Sequence, residues 1–229
     1  MLLAACGAAK SQASASSHHP IPRPTATPGF DCAALAHRGV SQCPTKVPWV
    51  KASITDGTNG AISEAEARKW GEAELRTWSL YVWADLHMDA GLLTAGVIAD
   101  ANASQTNIYN QDLQWIQEAE QAQGTIQGDG GVLLSIRLVP IPSSLQQTIS
   151  AHQLQAQPYG FVLQNRGPSN VYIQEPNGQR QSLAQEPADA AWSNVWWGTY
   201  KDDPQLGPIW YASGEYVCSD ALVAPTCSQ

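Results

Sequence analysis

The chain has 229 residues, 43% of them hydrophobic, and a net charge of −8 from 12 basic and 20 acidic residues. The basic residues are scattered, and charged residues make up 14% of the chain, against about 25% in ordinary soluble domains. A phosphate-tracking groove or a polybasic membrane patch needs clustered Lys and Arg, so the composition argues against nucleic-acid binding. Apolar runs such as Leu92–Ala99 and Val132–Val139, the second containing Arg137, fall well short of the roughly 18 residues of a spanning helix.

In chain order the first feature is Leu3-Ala4-Ala5-Cys6, followed by Gly7 and Ala8. It resembles the lipobox of bacterial lipoproteins: Leu, two small residues, then Cys. The resemblance implies cleavage before Cys6, leaving residues 1–5 as the remnant of a signal peptide, and a diacylglyceryl group on the Cys6 thiol. Two acyl chains anchor stably where one is marginal. Lipoprotein signals carry a basic stretch and a longer apolar stretch than residues 1–5 supply, so the true translation start is expected upstream. Residues 6–29 are rich in Ser, Ala, Pro and Thr, a composition that cannot bury enough apolar surface to fold and reads as a tether. His18-His19 belongs to that solvated segment rather than to a metal site. Residues 30–229 are then one domain, long enough for a full core. The expected location is extracytoplasmic, lipid-anchored to the bacterial cell membrane.

Beyond Cys6 the cysteines are Cys32, Cys43, Cys218 and Cys227. An even set in an oxidising compartment reads as two disulfides. Of the three pairings, Cys32–Cys43 with Cys218–Cys227 is preferred because each closes a short local loop, worth about 2–3 kcal/mol. The alternative, a zinc site, finds no C-x-x-C spacing to support it.

Residues 30–62 read as a loop-rich lead-in. Ser63-Glu64-Ala65-Glu66 is a capping box, and Leu75, Trp78, Val82 and Leu86 form an apolar stripe that predicts a helix to about residue 90, with Gly91 as its stop. A second helix is predicted from near Ser104 to Gln123, with Tyr109, Leu113 and Ile116 as one stripe, Ile108, Trp115 and Ala119 beside it, and Gly124 at its end. "GDGG" at 128–131 reads as a tight turn and Val132–Val139 as a strand; residues 143–157 fit helix or strand equally. Phe161–Asn165 and Val171–Glu175 are expected to pair around Gly167-Pro168, with a second turn at Pro176-Asn177-Gly178. Val195–Tyr200 and Ile209–Cys218 make a final hairpin. Helices followed by strands indicate an α+β fold: two N-terminal amphipathic helices packed on a C-terminal antiparallel sheet. This order of elements resembles the NTF2-like or cystatin-like plan, in which a curved sheet wraps a helix.

Alternation puts Trp196 and Tyr200 on one face of their strand and Val195 and Trp197 on the other; Trp210 and Tyr216 share a face of the last strand. Together with Trp78 these rings are candidates to line an apolar ligand pocket, the alternative being core packing on Trp78 and Trp70. Asp85 and Asp89 fall one helical turn apart, with His87 about 200° round from Asp85, so the three do not converge on a metal; a solvated helix end is the plainer account. Asp202-Asp203-Pro204 with Glu215 offers carboxylates for hydrolysis, or simply a turn. Nucleophile elbows, P-loops, dinucleotide fingerprints and H-E-x-x-H are missing, and nothing calls for a cofactor. Asn102-Ala103-Ser104 is a sequon that matters only in a eukaryotic secretory route. The expected function is non-catalytic binding of a small molecule or envelope protein by a membrane-anchored domain. The alternatives are an anchored envelope hydrolase using carboxylates, and a structural component of a secretion or conjugation assembly. Intact mass from the membrane fraction of the native host should begin at Cys6 with a diacylglyceryl adduct, and reduction should add hydrogens at both disulfides; an unlipidated chain retaining Met1 would refute the anchor.

Overall fold

Where the chain can turn sets the order of its strands. The computed structural model describes residues 29–97, 107–151, 156–186, 191–218 and 227. Cys6, residues 6–28 of the tether with His18-His19, and the sequon at 102–104 lie outside them. The elements are α1 (Cys32–His37), β1 (Ser53–Asp56), α2 (Glu64–Leu86), α3 (Ala90–Leu92) running into a π-helical turn over Leu93–Val97, α4 (Asn107–Gln121), β2 (Thr125–Pro140), α5 (Ser143–Ala151), β3 (Tyr159–Gln174), β4 (Arg180–Glu186), β5 (Ala191–Asp203) and β6 (Gly207–Val217). The fold is α+β. The strands form one sheet in the order β1-β2-β3-β5-β6, with β4 paired to the second half of β3. Among the described residues only the β1–β2 pairing is parallel.

The serine half of the capping box forms: Ser63 Oγ accepts the Glu66 N–H at 3.2 Å, and Glu64 and Glu66 place negative charge at the positive end of the helix. The helix stops at Leu86, before the expected Gly91, because Met88 takes a left-handed φ of 53° and Asp89 caps the next turn. Gly91 serves a different need, the close approach of its backbone to Gly39. Of the expected stripe only Trp78 is buried; Leu75, Val82 and Leu86 are half-buried. The buried stripe instead contains Trp70, Ala73, Glu74, Thr77, Trp78 and Leu80. Ile116 and Ala119 of α4 are buried as expected, and the Gly124 N–H closes that helix on Ala119 O.

The strands are longer than their sequences suggest. "GDGG" lies inside β2, and Gly167-Pro168 lies inside β3. The two turn-prone segments face each other, Gly128 opposite Val171 and Gly130 opposite Ser169, and register shifts absorb them. Gly167 and Pro168 fall where β3 leaves β5 at Arg166 and takes up β4 at Ser169. A proline without an N–H removes no ladder bond at such a switch. The turn at Pro176-Asn177-Gly178 forms as expected, with Gly178 at φ 88°.

Two cores result. The larger lies between the sheet and α2 and α4, around Leu80, Ile136, Phe161, Leu163, Trp196 and Trp210. The smaller covers the opposite face, where Leu145 and Ile149 pack on Val162, Val195 and Trp197. The ambiguous stretch is therefore a helix, α5, and it sits on the second face, whereas the expectation had helices on one face only. Cys32–Cys43 and Cys218–Cys227 are bonded, with Cα atoms 5.3 and 5.8 Å apart. The lead-in holds α1 and β1, the latter extending the sheet.

A Cβ on Gly91 would collide with the Gly39 backbone, so Gly91→Ala should cost about 1–3 kcal/mol. Gly29→Ala, where nothing lies within 4 Å, should be near neutral. Urea denaturation of both variants checks the pair.

Candidate functional site

Glu74, Trp78, Tyr81 and Asp85 follow one another at spacings of four, three and four on α2, so they share one face of the helix. That face meets Trp196 of β5: its ring centroid is 5.3 Å from Trp78 and 5.4 Å, edge-on, from Tyr81. Trp78 and Tyr81 are 5.5 Å apart. The three rings form a continuous aromatic wall.

A bulge in β6 brings an acid to this wall. Trp197 pairs with Gly214 while Gly198 pairs with Ala212, so Ser213 is an extra residue. An extra residue reverses the alternation of faces beyond it. Glu215 thus lies opposite Trp196, on the face of the larger core, and Tyr216 is turned to the other side. There Tyr216 stacks on Trp197 at 5.0 Å. The expectation that Trp210 and Tyr216 share a face fails for this reason.

Asp112 completes the site from α4. Its side chain is 1% exposed, and the Tyr81 hydroxyl donates to its Oδ1 at 3.3 Å. Asp85, Tyr81, Asn194 and Glu215 are half-buried. Together with Asp112 and Trp196, each 1% exposed, they form an acidic cluster against the aromatic wall, termed the recess. The Asn194 amide donates to Glu215 in a short contact. Three acceptors have no hydrogen-bond partner, Asp85 Oδ1, Asp112 Oδ2 and Asn194 Oδ1, and the Trp196 indole N–H is directed at Glu215.

Burial and mutual repulsion push every acid of the recess toward its neutral form. Burial, joined by the Glu215 charge and opposed by the Tyr81 hydroxyl, pushes Asp112 up to about 8. Burial raises Glu215 to about 7 against the opposing pull of the nearby Trp196 indole and the Asn194 amide. Asp85 is raised by burial and then by Asp112. The Tyr81 phenol is raised by burial and by the charges of Asp112, Asp85 and Glu215. No cation contributes to any of these shifts. Three turns along α2, Glu74 is fully buried with both oxygens unpartnered, and burial alone raises it well above its usual range.

The residues singled out from sequence are dispersed. Trp78 and Trp196 wall the recess. Trp210 is fully buried between Trp70 and Phe161. Tyr200 lies beside Lys69 and donates to Asp202. Asp85 joins the recess, but Asp89 does not share its helical face: it caps α3 and accepts the N–H groups of Ser41, Gln42 and Leu92. His87 stacks on Trp83 at 3.6 Å. Asp203 is paired with Arg38 at 2.7 Å and caps its own turn. Asp112 and Glu74 escaped sequence reasoning, although each interrupts a helical stripe of buried residues. Among the described residues no cluster of His, Cys, Asp and Glu has the arrangement of a metal site.

A carboxyl kept neutral by folding stabilises fully below its unfolded pKa, and the contribution is lost as pH rises toward the folded value. Glu74 should therefore cost stability progressively above about pH 4, at up to about 1.4 kcal/mol per pH unit. Glu74→Gln removes that titration, so its stability relative to wild type should rise between pH 5 and 7 in urea denaturation. A constant difference would contradict the assignment.

The chain matches no protein-family model, no curated protein and no solved structure.

Proposed function

We propose that this chain is a lipid-anchored, extracytoplasmic envelope domain that binds a ligand in the recess between α2, α4 and the bulged end of β5–β6, without catalysis. The observation that carries this reading is the set of unpartnered polar atoms, Asp85 Oδ1, Asp112 Oδ2 and Asn194 Oδ1, in a cluster where Tyr81, Asp85, Asn194 and Glu215 are half-buried. Buried polar atoms are nearly always hydrogen-bonded, so a group of unpartnered acceptors in one place calls for a donor. The lipobox-like Leu3–Cys6 and the two disulfides fit an oxidising compartment outside the cytoplasm. We read the laying of α2 across a bulged sheet as the NTF2-like plan.

A second reading, an envelope hydrolase, draws on the Asp112 and Glu215 carboxyls, pushed up to about 8 and about 7, a range suited to a general acid. One experiment separates the two. In a thermal-shift screen of envelope metabolites, a ligand at a hundred times its Kd adds about 2.7 kcal/mol, or about 5–10 °C for a domain of this size. The shift should vanish in Asp112→Asn while the ligand is recovered chemically unchanged. Conversion of the ligand, abolished by the same substitution, would make the protein the hydrolase.

A further inference from the structure

We infer that the corner of the domain formed by Phe30, Lys46, Trp49 and Lys51 docks on the surface of an anionic bilayer. The inference rests on the reading of the chain as a lipid-anchored envelope domain and adds how the domain sits on its membrane.

Charge is divided unevenly along the chain. Residues 1–51 hold Lys10, Arg23, Arg38, Lys46 and Lys51 against Asp31 alone, whereas residues 52–229 hold seven basic and nineteen acidic residues. Such an asymmetry draws the N-terminal part toward anionic surfaces and turns the remainder away from them. Arg38 is paired with Asp203, and Asp31 caps α1 by accepting the Ala34 N–H. Lys46 and Lys51 are exposed, and among the described residues neither is in an ion pair.

Between the two lysines stands Trp49. It is 38% exposed, and among the described side chains the other large hydrophobics so exposed are Val132 and Leu134. Val50 and Ala52 pack against the larger core, while Trp49 and Lys51, alternating with them, are exposed. The Trp49 ring is braced rather than loose: the Arg76 guanidinium lies 4.6 Å from its centroid and the Phe30 ring 6.1 Å away. The same guanidinium lies 5.4 Å from the Phe30 ring. One turn of α2 from Arg76, the acid Glu72 is paired with Arg68. An amphipathic indole flanked by lysines suits a bilayer–water interface, with the ring at headgroup level and the ammonium groups on lipid phosphates.

The route of the chain selects this corner. The described domain begins at Gly29, next to Phe30, so a lipid on Cys6 brings the Phe30–Trp49 corner to the bilayer first. The segment from Cys6 to Gly29 reaches at most about 80 Å, and a tether of that length raises the effective concentration of headgroups at the corner. Two lysines and one tryptophan are too few to hold a free domain on a bilayer; with the anchor in place they need only orient it.

The test couples the oxidised full chain to vesicles carrying a maleimide lipid, through Cys6, the cysteine outside the two disulfides. This supplies an anchor independent of native lipidation. Quenching of tryptophan emission by a doxyl lipid is measured for wild type and Trp49→Phe, and the difference reports Trp49. In vesicles of equal parts phosphatidylcholine and phosphatidylglycerol, Trp49 should lose at least half its emission, and molar salt should restore it. The loss should be at least threefold smaller in phosphatidylcholine alone, and equally reduced by the double substitution Lys46→Glu, Lys51→Glu. The double substitution Lys69→Glu, Arg180→Glu, an equal change of charge elsewhere on the surface, should leave it unaltered. Quenching that ignores phosphatidylglycerol or survives the reversal of both lysines would overturn the inference. No quenching in either mixture would overturn it too, leaving the corner to a protein partner. A native intact mass without the diacylglyceryl group would remove the anchored reading, and the inference with it, even where the vesicles respond. The lysine reversals and the lipid dependence of total emission carry the test if Trp49→Phe does not fold.

Discussion

The extra residue at Ser213 determines which side chains β6 presents to α2. Up to Ala212 the strand alternates so that Trp210 faces the larger core, with its N–H donating to Thr77 Oγ1 at 2.8 Å. Past the bulge the parity is reversed, so Glu215 faces α2 and Tyr216 faces away. Without the bulge the strand would turn Tyr216, not Glu215, toward the larger core. Gly214 makes the bulge possible: a Cβ there would strike the Trp197 ring. Local backbone geometry at two residues thus decides which side chain of β6 meets α2.

The α2 stripe is divided along its length. At the packed end Glu74 is fully buried and neither carboxyl oxygen has a partner. Burying an ionised carboxylate there would cost far more than protonating it, so the side chain behaves as a neutral amide-sized group. At the other end Asp85 meets Asp112, Glu215 and the Tyr81 phenol, and the cost of burial is shared among groups that influence one another. Carboxyls coupled so closely lose and gain protons as a set. The state of the recess therefore answers to any charge brought into it.

What was legible in the sequence was whatever depends on neighbours in the chain. The capping box at Ser63, the Pro176–Gly178 turn, the β5–β6 hairpin and the short-loop disulfides all follow from local chemistry, and all are present. What was not legible depends on partners distant in sequence. The glycines of "GDGG" would turn a lone strand, but opposite Ser169–Val171 they are held in a long ladder. The bulge at Ser213 has no local signature strong enough to reset the alternation of Trp210 and Tyr216. Asp112 came closest to visibility: it precedes Ile116 and Ala119 by four and seven residues, so a polar residue sat in plain sight on a buried helical stripe.

Two clusters of charge on the same sheet now differ in a telling way. Arg38 donates to Asp203 at 2.7 Å, Gln205 at 2.8 Å, the Ala95 carbonyl at 2.7 Å and the Tyr211 hydroxyl at 2.9 Å. Burial alone would raise Asp203, but the Arg38 contact and two backbone N–H groups bring it below its usual range. Tyr211, buried beside that carboxylate, is pushed up to about 12. Here positive and negative charge, donors and acceptors, are matched within the chain. The network holds α1, the π-helical turn and the β5–β6 turn together, which is a structural task with nothing left over. The recess at Asp85, Asp112 and Glu215 has the same kind of acids and a comparable tyrosine but no counterpart to Arg38. Among the described residues no cation lies beside these acids, and burial, unopposed by one, holds their carboxyls toward the neutral form. A fold that supplies a guanidinium to one acidic cluster ionises it, and leaves the carboxyls of the other to be held neutral by burial.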